Sequence, residues 1–424
     1  MKTNNSIHCR VLAVTAILTA FVWCMACSFY STTMDSCASI SVRWKKGGVS
    51  PSALVRQQNN ARKDGIAVQP EVTLWQVYSA QQIMDSDMRN TTANMVAVFG
   101  ECEDITTKSM LYGAFPSNSD KQGCAVSSGL AFSLWGSTQV LGVQVRIEGE
   151  VFYVRGVFED DNARVFRQAE AESDKTLSNM QLTFPGGGTR EDAERYLNAA
   201  NFTGGTILDL PLMGRVFRIL FRFPAIVLAF GIIVRLLRRA RKLWHYQAWL
   251  FSYLPFVLAV LAGLMLCIDL PEIPSSFIPS KWSDFEFWKN LFLSHWKNFT
   301  RWTSAAPTFR DKELWGQASA MLLLSIFATI LVAVSAAMTS IRSYKNMVLT
   351  CAAYILTLCL ISLGTASSGK LSFCKEMYLV PCLWIGVDYM LYWQGRRFDL
   401  ASHERRLSDD KNTSKATEET VEQT

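Results

Sequence analysis

Six apolar blocks constrain the fold of this chain more than any other feature of its sequence. They cover 11–29, about 217–236, 248–268, 317–340, 346–366 and 377–394. Each block is near the length that an α-helix needs to cross a hydrocarbon core of about 30 Å. Half of all residues are hydrophobic and only 18% are charged, which fits such a protein. The sequence therefore predicts a polytopic α-helical membrane protein with about six spans.

Basic residues predict the orientation of these spans. They cluster on one side of the blocks, at Arg235 and 238–242, at Arg342 and Lys345, and at Arg396 and Arg397. Because cytoplasmic loops carry an excess of Lys and Arg, both termini are expected in the cytoplasm of the cell and residues 30–210 outside the membrane. The predicted organisation is a cytoplasmic N-terminus (1–10), a transmembrane anchor (11–29), an extracytoplasmic domain (30–210), a five-span membrane region (211–395) with an extracytoplasmic aromatic loop (269–316), and a polar cytoplasmic tail (396–424).

The stretch from Cys124 to Asp160 predicts a short helix followed by a β-hairpin. Ser127 and Ser128 are residues that cap helices, apolar residues follow at helical spacing, and Gly136 stands where a left-handed C-terminal cap is expected. Apolar and polar residues then alternate on both sides of Glu148-Gly149, which is a typical hairpin turn. The domain at 30–210 is therefore expected to have an α+β fold.

The same stretch resembles the MacB-type periplasmic core domain of FtsX-like ABC transporter permeases over roughly residues 70–160. The positions that carry the resemblance are Leu134, Trp135, Gly136, Gly142, Gly149, Val154 and Gly156. In that family a Leu-Phe-Gly segment precedes a Gly-turn hairpin that ends in Val-x-Gly-Val, and here Trp135 replaces the Phe. The resemblance implies a permease subunit that works with a separate cytoplasmic ATPase in exporting a lipophilic, peptide or lipoprotein substrate.

Two further segments have helical patterns. Thr189 and Asp192 fit the start of a capped helix after a glycine-rich linker at 186–188. In the aromatic loop, aromatic residues recur every three or four positions, at Phe285, Trp288, Phe292, Trp296 and Phe299. That helix is expected either at the outer membrane interface or as a lid on the other spans, and both placements stay open.

Charged residues within the apolar blocks have two interpretations. Arg218 and Arg222, one turn apart near the end of a block, fit either snorkelling to headgroups or a role in transmitting motion from the outer domain. Asp388 is the one acid deep in a block, and it indicates either a packing hydrogen bond to another helix or part of a polar path.

The sequence has no catalytic or cofactor-binding constellation, so neither an enzyme nor a cofactor nor a metal site is predicted. The four histidines have no zinc-ligand spacing. The segment 364–371 approaches a phosphate loop, but Leu371 stands where Ser or Thr should bind Mg²⁺. The net charge of +6 reflects the loop bias, so the predicted partner is membrane lipid and not nucleic acid.

Three cysteines, Cys37, Cys102 and Cys124, lie in the predicted outer domain, where disulfides are permitted. Cys102 and Cys124 bracket one loop, and we expect them to be bonded.

The functional hypothesis places the ATPase contact in a predicted cytoplasmic loop. Its residues are Arg238, Arg239, Arg241, Lys242 and Trp244. In the family that the chain resembles, the loop between the first two spans after the core domain touches the ATPase. The competing interpretation is that these residues only determine the membrane topology and contact anionic lipid headgroups.

Two functions from different classes remain open. The first is a permease subunit, alone or as a dimer with itself or another subunit. The second is a non-transporting scaffold or sensor whose extracytoplasmic domain binds a ligand or partner protein. The membrane region departs from the family, because this chain has five predicted spans after the domain and the family usually has three.

Overall fold

The computed structural model describes residues 2–65, 69–244, 246–268, 285–304, 307–366 and 374–421. The chain divides into two compact units. The first, here the sheet unit, comprises Thr32–Phe217 and Ile273–Ala318. The second, here the helix unit, comprises Met1–Ser31, Arg218–Glu272 and Ser319–Thr424.

The helices and strands have the following bounds in the described part of the chain. The helices are α1 (Lys2–Ser36), α2 (Pro51–Lys63), α3 (Ser128–Trp135), α4 (Arg190–Ala199), α5 (Leu210–Phe221), α6 (Phe223–Leu243), α7 (Gln247–Cys267), α8 (Phe285–Ser304), α9 (Phe309–Met338), α10 (Tyr344–Ala366) and α11 (Lys375–Val421). The strands are β1 (Ile40–Arg43), β2 (Glu71–Asp85), β3 (Asn90–Phe99), β4 (Met110–Gly113), β5 (Gly123–Ser127), β6 (Gln144–Ile147), β7 (Glu150–Phe158), β8 (Arg164–Gln168), β9 (Asn179–Thr183) and β10 (Thr206–Leu208).

All of these strands join one mixed sheet in the sheet unit. Its order is β10-β1-β9-β2-β3-β8-β5-β7-β4, and β6 pairs with both β2 and β7. The pairs β3 with β8 and β5 with β7 are parallel, and the other pairs are antiparallel. The first strand of the unit is therefore held between two of its last strands, β9 and β10.

The predicted helix and hairpin at 124–160 are confirmed. The Ser127 hydroxyl accepts a hydrogen bond from the Leu130 backbone N–H, and α3 ends at Gly136 in the left-handed conformation, with φ +70°. In the hairpin, Ile147 pairs with Glu150, so Glu148 and Gly149 form a two-residue turn. Both have positive φ, as the tight hairpin turn that matches strand twist requires.

The predicted helix start at Thr189 is also confirmed. The Thr189 side chain accepts from the Asp192 backbone N–H, and the Asp192 carboxylate accepts from the Thr189 backbone N–H. This reciprocal pair satisfies two of the N–H groups that the first turn of a helix leaves open.

The two faces of the sheet bury separate apolar clusters, because successive strand residues point to opposite faces. In β5, Cys124 and Val126 lie in one cluster with α3, while Ala125 lies in another. In β8, Val165 joins the first cluster and Phe166 the second. Three aromatic residues, Trp75, Phe158 and Phe166, are completely buried in the second cluster, which we call the aromatic cluster.

The membrane-protein class with an α+β domain is confirmed, but the count of six spans is not. Four helices in the described residues are long and apolar enough to cross a membrane: Val14–Ser36, Trp249–Cys267, Phe309–Met338 and Tyr344–Gly364. The bent pair α5 and α6, with 50° between its helices, makes a fifth if it is one span. The segment 377–394 lies inside α11 and is not among them, so its crossing stays a prediction.

Candidate functional site

Several side-chain hydrogen bonds hold the start of α9 in the sheet unit, and its first residues were not among the predicted site residues. Thr308 caps the helix: its backbone N–H and its hydroxyl both donate to Asp311 Oδ2, at 2.8 and 2.9 Å. The Asp311 backbone N–H donates back to the Thr308 hydroxyl at 3.4 Å. This is the same capping box that begins α4, built again from Thr and Asp. We call residues 308–313 the α9 anchor.

Asp311 of the anchor forms a buried ion pair with Arg43 of β1. Arg43 Nη1 donates to Asp311 Oδ2 at 2.7 Å and Nη2 donates to Oδ1 at 2.6 Å. The two side chains are only 10% and 7% exposed. Two parallel bonds between a planar guanidinium and a carboxylate fix both distance and orientation. The helix start is therefore held in one geometry against β1.

Arg310 extends the anchor into a buried polar network around β9. Its guanidinium donates to Gln181 Oε1 at 2.8 Å, to the Ser39 hydroxyl at 2.9 Å and to the Ser36 carbonyl at 3.0 Å. Gln181 in turn donates to the Ser41 hydroxyl. Buried cations are costly unless they are hydrogen-bonded, and this set supplies the acceptors.

Glu313 ties the next turn of α9 to β8 and to the segment before β4. Its carboxylate accepts from Arg164 Nη1 at 2.9 Å, from the Thr106 hydroxyl at 3.1 Å and from the Thr107 backbone N–H at 3.4 Å. One turn later, Gln317 Nε2 donates to the Thr107 hydroxyl at 2.7 Å. Polar contacts therefore continue beyond the anchor for another turn.

Phe309 supplies the apolar part of the anchor. Its ring packs edge-on against Trp75, with centroids 5.3 Å apart, and against Phe166 at 6.1 Å. Arg164 Cζ lies 4.2 Å from the centroid of the same ring. Phe309 thus adds to the aromatic cluster on one face of the sheet. The anchor therefore contacts four strands of the sheet, β1, β2, β8 and β9.

The anchor had one signal in the sequence. Thr308 and Asp311 have the spacing that identifies the start of α4, but the charged residues at 310–313 were assigned to the aromatic loop 269–316. Residues 269–284 of that loop lie outside the described residues.

The positions that carry the family resemblance shape the core and the turns. Leu134 and Val154 are buried in one cluster, and Trp135 packs against it. Gly142, like Gly136 and Gly149, has positive φ. A side chain at Gly156 is prevented by the Ala114 carbonyl oxygen, which would lie 2.4 Å from its Cβ. These positions determine structure, and no ligand-binding geometry is apparent in this set.

The predicted disulfide is not formed. Cys102 and Cys124 are both free thiols, and they lie in different clusters on opposite faces of the sheet. Burial raises the pKa of the Cys102 thiol well above its ordinary value and raises that of Cys124 to about 12. Both are therefore small core residues. The sequence could not place Cys102 because it lies in a short helical turn outside the strands.

Four of the five predicted coupling residues lie in a helix and not in a loop. Arg238, Arg239, Arg241 and Lys242 belong to the last turns of α6, and Trp244 follows directly, largely exposed. Arg239 Cζ lies 5.7 Å from the centroid of the Phe398 ring of α11. The other basic side chains of the set are exposed. Their role in ATPase contact stays a prediction.

Two arginines of the apolar blocks, Arg235 and Arg222, form ion pairs with acidic residues of α11. Arg235 of α6 bonds Asp388 of α11 at 2.5 Å, and Asp388 also accepts from the Ile341 backbone N–H at 3.0 Å. Arg222, between α5 and α6, pairs with the buried Glu376 at 2.9 Å. These contacts favour the packing interpretation of Asp388 and argue against snorkelling for Arg222.

Helix α8 confirms the predicted helical pattern in the aromatic loop. Phe285, Phe292 and Trp296 are exposed, and the last two rings stack with centroids 6.3 Å apart. An exposed aromatic face favours the interface placement over a packed lid. The side chain of Phe299 lies outside what the structure describes.

Neither a protein-family model nor a curated protein matches this sequence. Solved structures do match. The periplasmic region of MacB from Actinobacillus actinomycetemcomitans is 12% identical with a TM-score of 0.33, covering 43% of this chain and 92% of that chain. The extracellular domain of the noncanonic ABC-type transporter YknZ from Gram-positive bacteria is 15% identical with a TM-score of 0.31, covering 40% and 98%.

Proposed function

We propose that this chain is a permease-like membrane subunit in which the sheet unit and the apolar helices move together during export, driven by a separate cytoplasmic ATPase. The observation that carries the proposal is the α9 anchor. Its buried Arg43–Asp311 pair and the Arg310 network hold the first turn of an apolar helix in the sheet. The same helix continues to Met338 and is a candidate span, so in this proposal α9 is the element that carries motion.

Several parts of this proposal rest on the sequence. The sheet unit lies outside the membrane and both termini lie in the cytoplasm, since the basic clusters favour that orientation. The substrate is lipophilic, a peptide or a lipoprotein, and the subunit works as a dimer with itself or a second subunit. The chain itself catalyses no reaction, so ATP hydrolysis belongs to the partner. In the described residues no group of three or more His, Cys, Asp or Glu side chains is arranged to hold a metal ion.

The anchor is tested by a matched pair of carboxylate variants. Asp311 and Asp192 both close a Thr-Asp capping box, but only Asp311 pairs with a buried arginine. Full-length protein is purified from its native membranes with any associated ATPase. We expect Asp311→Asn to leave the ATPase bound but to lower ATP hydrolysis by the complex severalfold, while Asp192→Asn has little effect. Equal activity in the two variants would exclude a coupling role for the anchor.

The ATPase contact is tested separately at the end of α6. The triple variant Arg239→Lys, Arg241→Lys and Trp244→Ala keeps the positive charge but removes planar donors and an exposed aromatic ring, which protein interfaces use. Co-purification of the ATPase should fall sharply, and Arg342→Lys serves as a control in a different basic cluster. Unchanged co-purification would show that these residues only set the topology and contact lipid headgroups.

A scaffold or sensor is the second candidate, and one observation favours it. A polar cavity of about 530 Å³ in the sheet unit is lined by residues that include Arg62, Glu71 and Asp104. The side-chain amide nitrogen of Gln69 is buried there and has no hydrogen-bond partner in the described residues. Such a cavity is of ordinary size for a ligand site. If the wild-type protein co-purifies with no ATPase, the permease proposal fails and this function gains.

A further inference from the structure

A second cavity, of about 430 Å³, lies within the helix unit among α1, α6, α9, α10 and α11. Its volume falls in the range of about 300 to 1,000 Å³ that is typical of small-molecule sites. Most of its lining is aliphatic, and several positions are alanine, such as Ala336 and Ala353. The small side chains leave the space that the neighbouring helices do not fill.

The cavity opens through the side of the apolar helices. Ile17 and Leu349 line it and are 53% and 70% exposed. Both belong to candidate spans, Val14–Ser36 and Tyr344–Gly364. In a membrane these positions face hydrocarbon, so a molecule that enters the cavity comes from the bilayer.

Two lining residues, Trp384 and Ser335, each carry a buried polar atom, Nε1 and Oγ, without a hydrogen-bond partner in the described residues. Trp384 is only 8% exposed, so water does not satisfy its N–H. The lining hydroxyls of Thr19, Thr339, Thr350 and Thr357 differ, because each donates to the carbonyl oxygen of the residue four positions earlier. Buried donors without an acceptor are rare and costly in native proteins.

The Trp384 ring is held in place from its face. Arg235 Cζ lies 4.0 Å from the ring centroid, and Arg235 is itself bonded to Asp388. The free N–H therefore has a fixed direction. Since the charge of Arg235 is compensated by Asp388, the cavity offers a neutral donor and not a site for an anion.

We propose that this cavity binds one fatty acyl chain, whose carbonyl oxygen accepts a hydrogen bond from Trp384 Nε1–H. The chain occupies the aliphatic part, and the Ser335 hydroxyl supplies a second polar contact. The shared chemistry, a long alkyl chain with a carboxyl or ester carbonyl, is found in both free fatty acids and bilayer phospholipids. The site does not depend on the proposed transport function.

The test uses full-length protein in phosphatidylcholine nanodiscs and two photoactivatable probes, a fatty acid and a phosphatidylcholine with the same diazirine chain. We expect at least one probe to label peptides of α10 and α11. Ala353→Phe should lower this labelling about tenfold, because the ring fills the cavity. Ala352→Phe is the matched control, since the neighbouring Ala352 does not line the cavity. The probe that labels identifies whether the chain comes from a free acid or from a bilayer lipid.

The hydrogen bond is tested by Trp384→Phe, which keeps an aromatic ring but removes the N–H. Labelling should fall roughly two- to tenfold, the size expected for one net hydrogen bond. Trp393→Phe, on the same helix but outside the cavity, should leave it unchanged. Labelling that spreads over all apolar helices, or that is the same in Ala353→Phe and Ala352→Phe, would overturn the acyl site. Equal labelling in Trp384→Phe and wild type would overturn the assigned donor.

Discussion

Removing the Asp311 carboxylate should release the α9 anchor locally. Asp311→Ala leaves the Arg43 guanidinium without its bidentate partner in a site where both side chains are about nine-tenths buried. Breaking a buried pair by removing one member costs about 3 to 5 kcal/mol, because a desolvated charge stays behind. That free energy raises the population with an undocked anchor on the order of 10² to 10³ fold.

Two native buried thiols report this undocking, so no cysteine has to be introduced. Cys102 lies in the aromatic cluster against which Phe309 packs, and Cys124 lies in the cluster on the other face of the sheet. Maleimide labelling of purified full-length protein, followed by peptide mass spectrometry, measures how often each thiol becomes exposed. In Asp311→Ala the labelling rate at Cys102 should rise by the factor above, and the rate at Cys124 should change far less.

Two further variants make the experiment decisive. Asp192→Ala removes the matching capping carboxylate of α4 and should cost only about 1 kcal/mol, with no preference for Cys102. Arg43→Met with Asp311→Leu removes both charges and should restore slow labelling, since apolar replacements of a buried pair are often neutral or stabilising. A Cys102 rate unchanged in Asp311→Ala, or an equal rise at both thiols, would refute the local anchor.

Three other predictions concern thiols, pH and topology. Intact-mass and peptide analysis should find Cys102 and Cys124 reduced, and both should react quickly only after denaturation because burial raises the pKa of each thiol. Hydrogen bonds from Thr189 lower the pKa of Asp192. The contribution of Asp192 to the stability of α4 is therefore present above the ordinary carboxyl pKa and is lost as pH falls through the lowered pKa. In Asp192→Asn, the melting temperature should accordingly fall less steeply as the pH is lowered. In intact cells an impermeant maleimide should label Asp161→Cys but not Lys242→Cys, and the reverse would reject the orientation.

The parts of the fold that could be predicted depend on neighbouring residues. Ser127, Gly136 and the Glu148-Gly149 turn set the backbone within a few positions, so the helix and the hairpin follow from short-range rules. The capping box at Thr189 belongs to the same class. For the apolar blocks, composition alone indicates a membrane protein. The number of crossings also depends on charged residues such as Asp388, and composition does not show which residues these are paired with.

The candidate site was harder because its partners are far apart in the sequence. Arg43 and Asp311 are separated by 268 residues, and no local pattern identifies one from the other. The prediction of the disulfide was wrong for a related reason, because two cysteines that bracket a loop can still lie on opposite faces of a sheet. The break at Arg222, which divides one predicted span into α5 and α6, lies just before Pro224, whose backbone has no N–H to continue the helix ladder.

The position of Phe309 and Asp311 late in the chain also governs how the sheet unit is made. Its last strand, β10, is complete at Leu208, but the aromatic cluster and Arg43 still lack their contacts from α9. At about 5 to 20 residues per second, Asp311 is synthesised roughly 13 to 54 s after Arg43. During that interval α6 and α7 are synthesised, so the sheet unit is completed only after part of the membrane region exists. A fragment that ends before residue 308 should accordingly remain an unfinished folding intermediate, with an open aromatic surface.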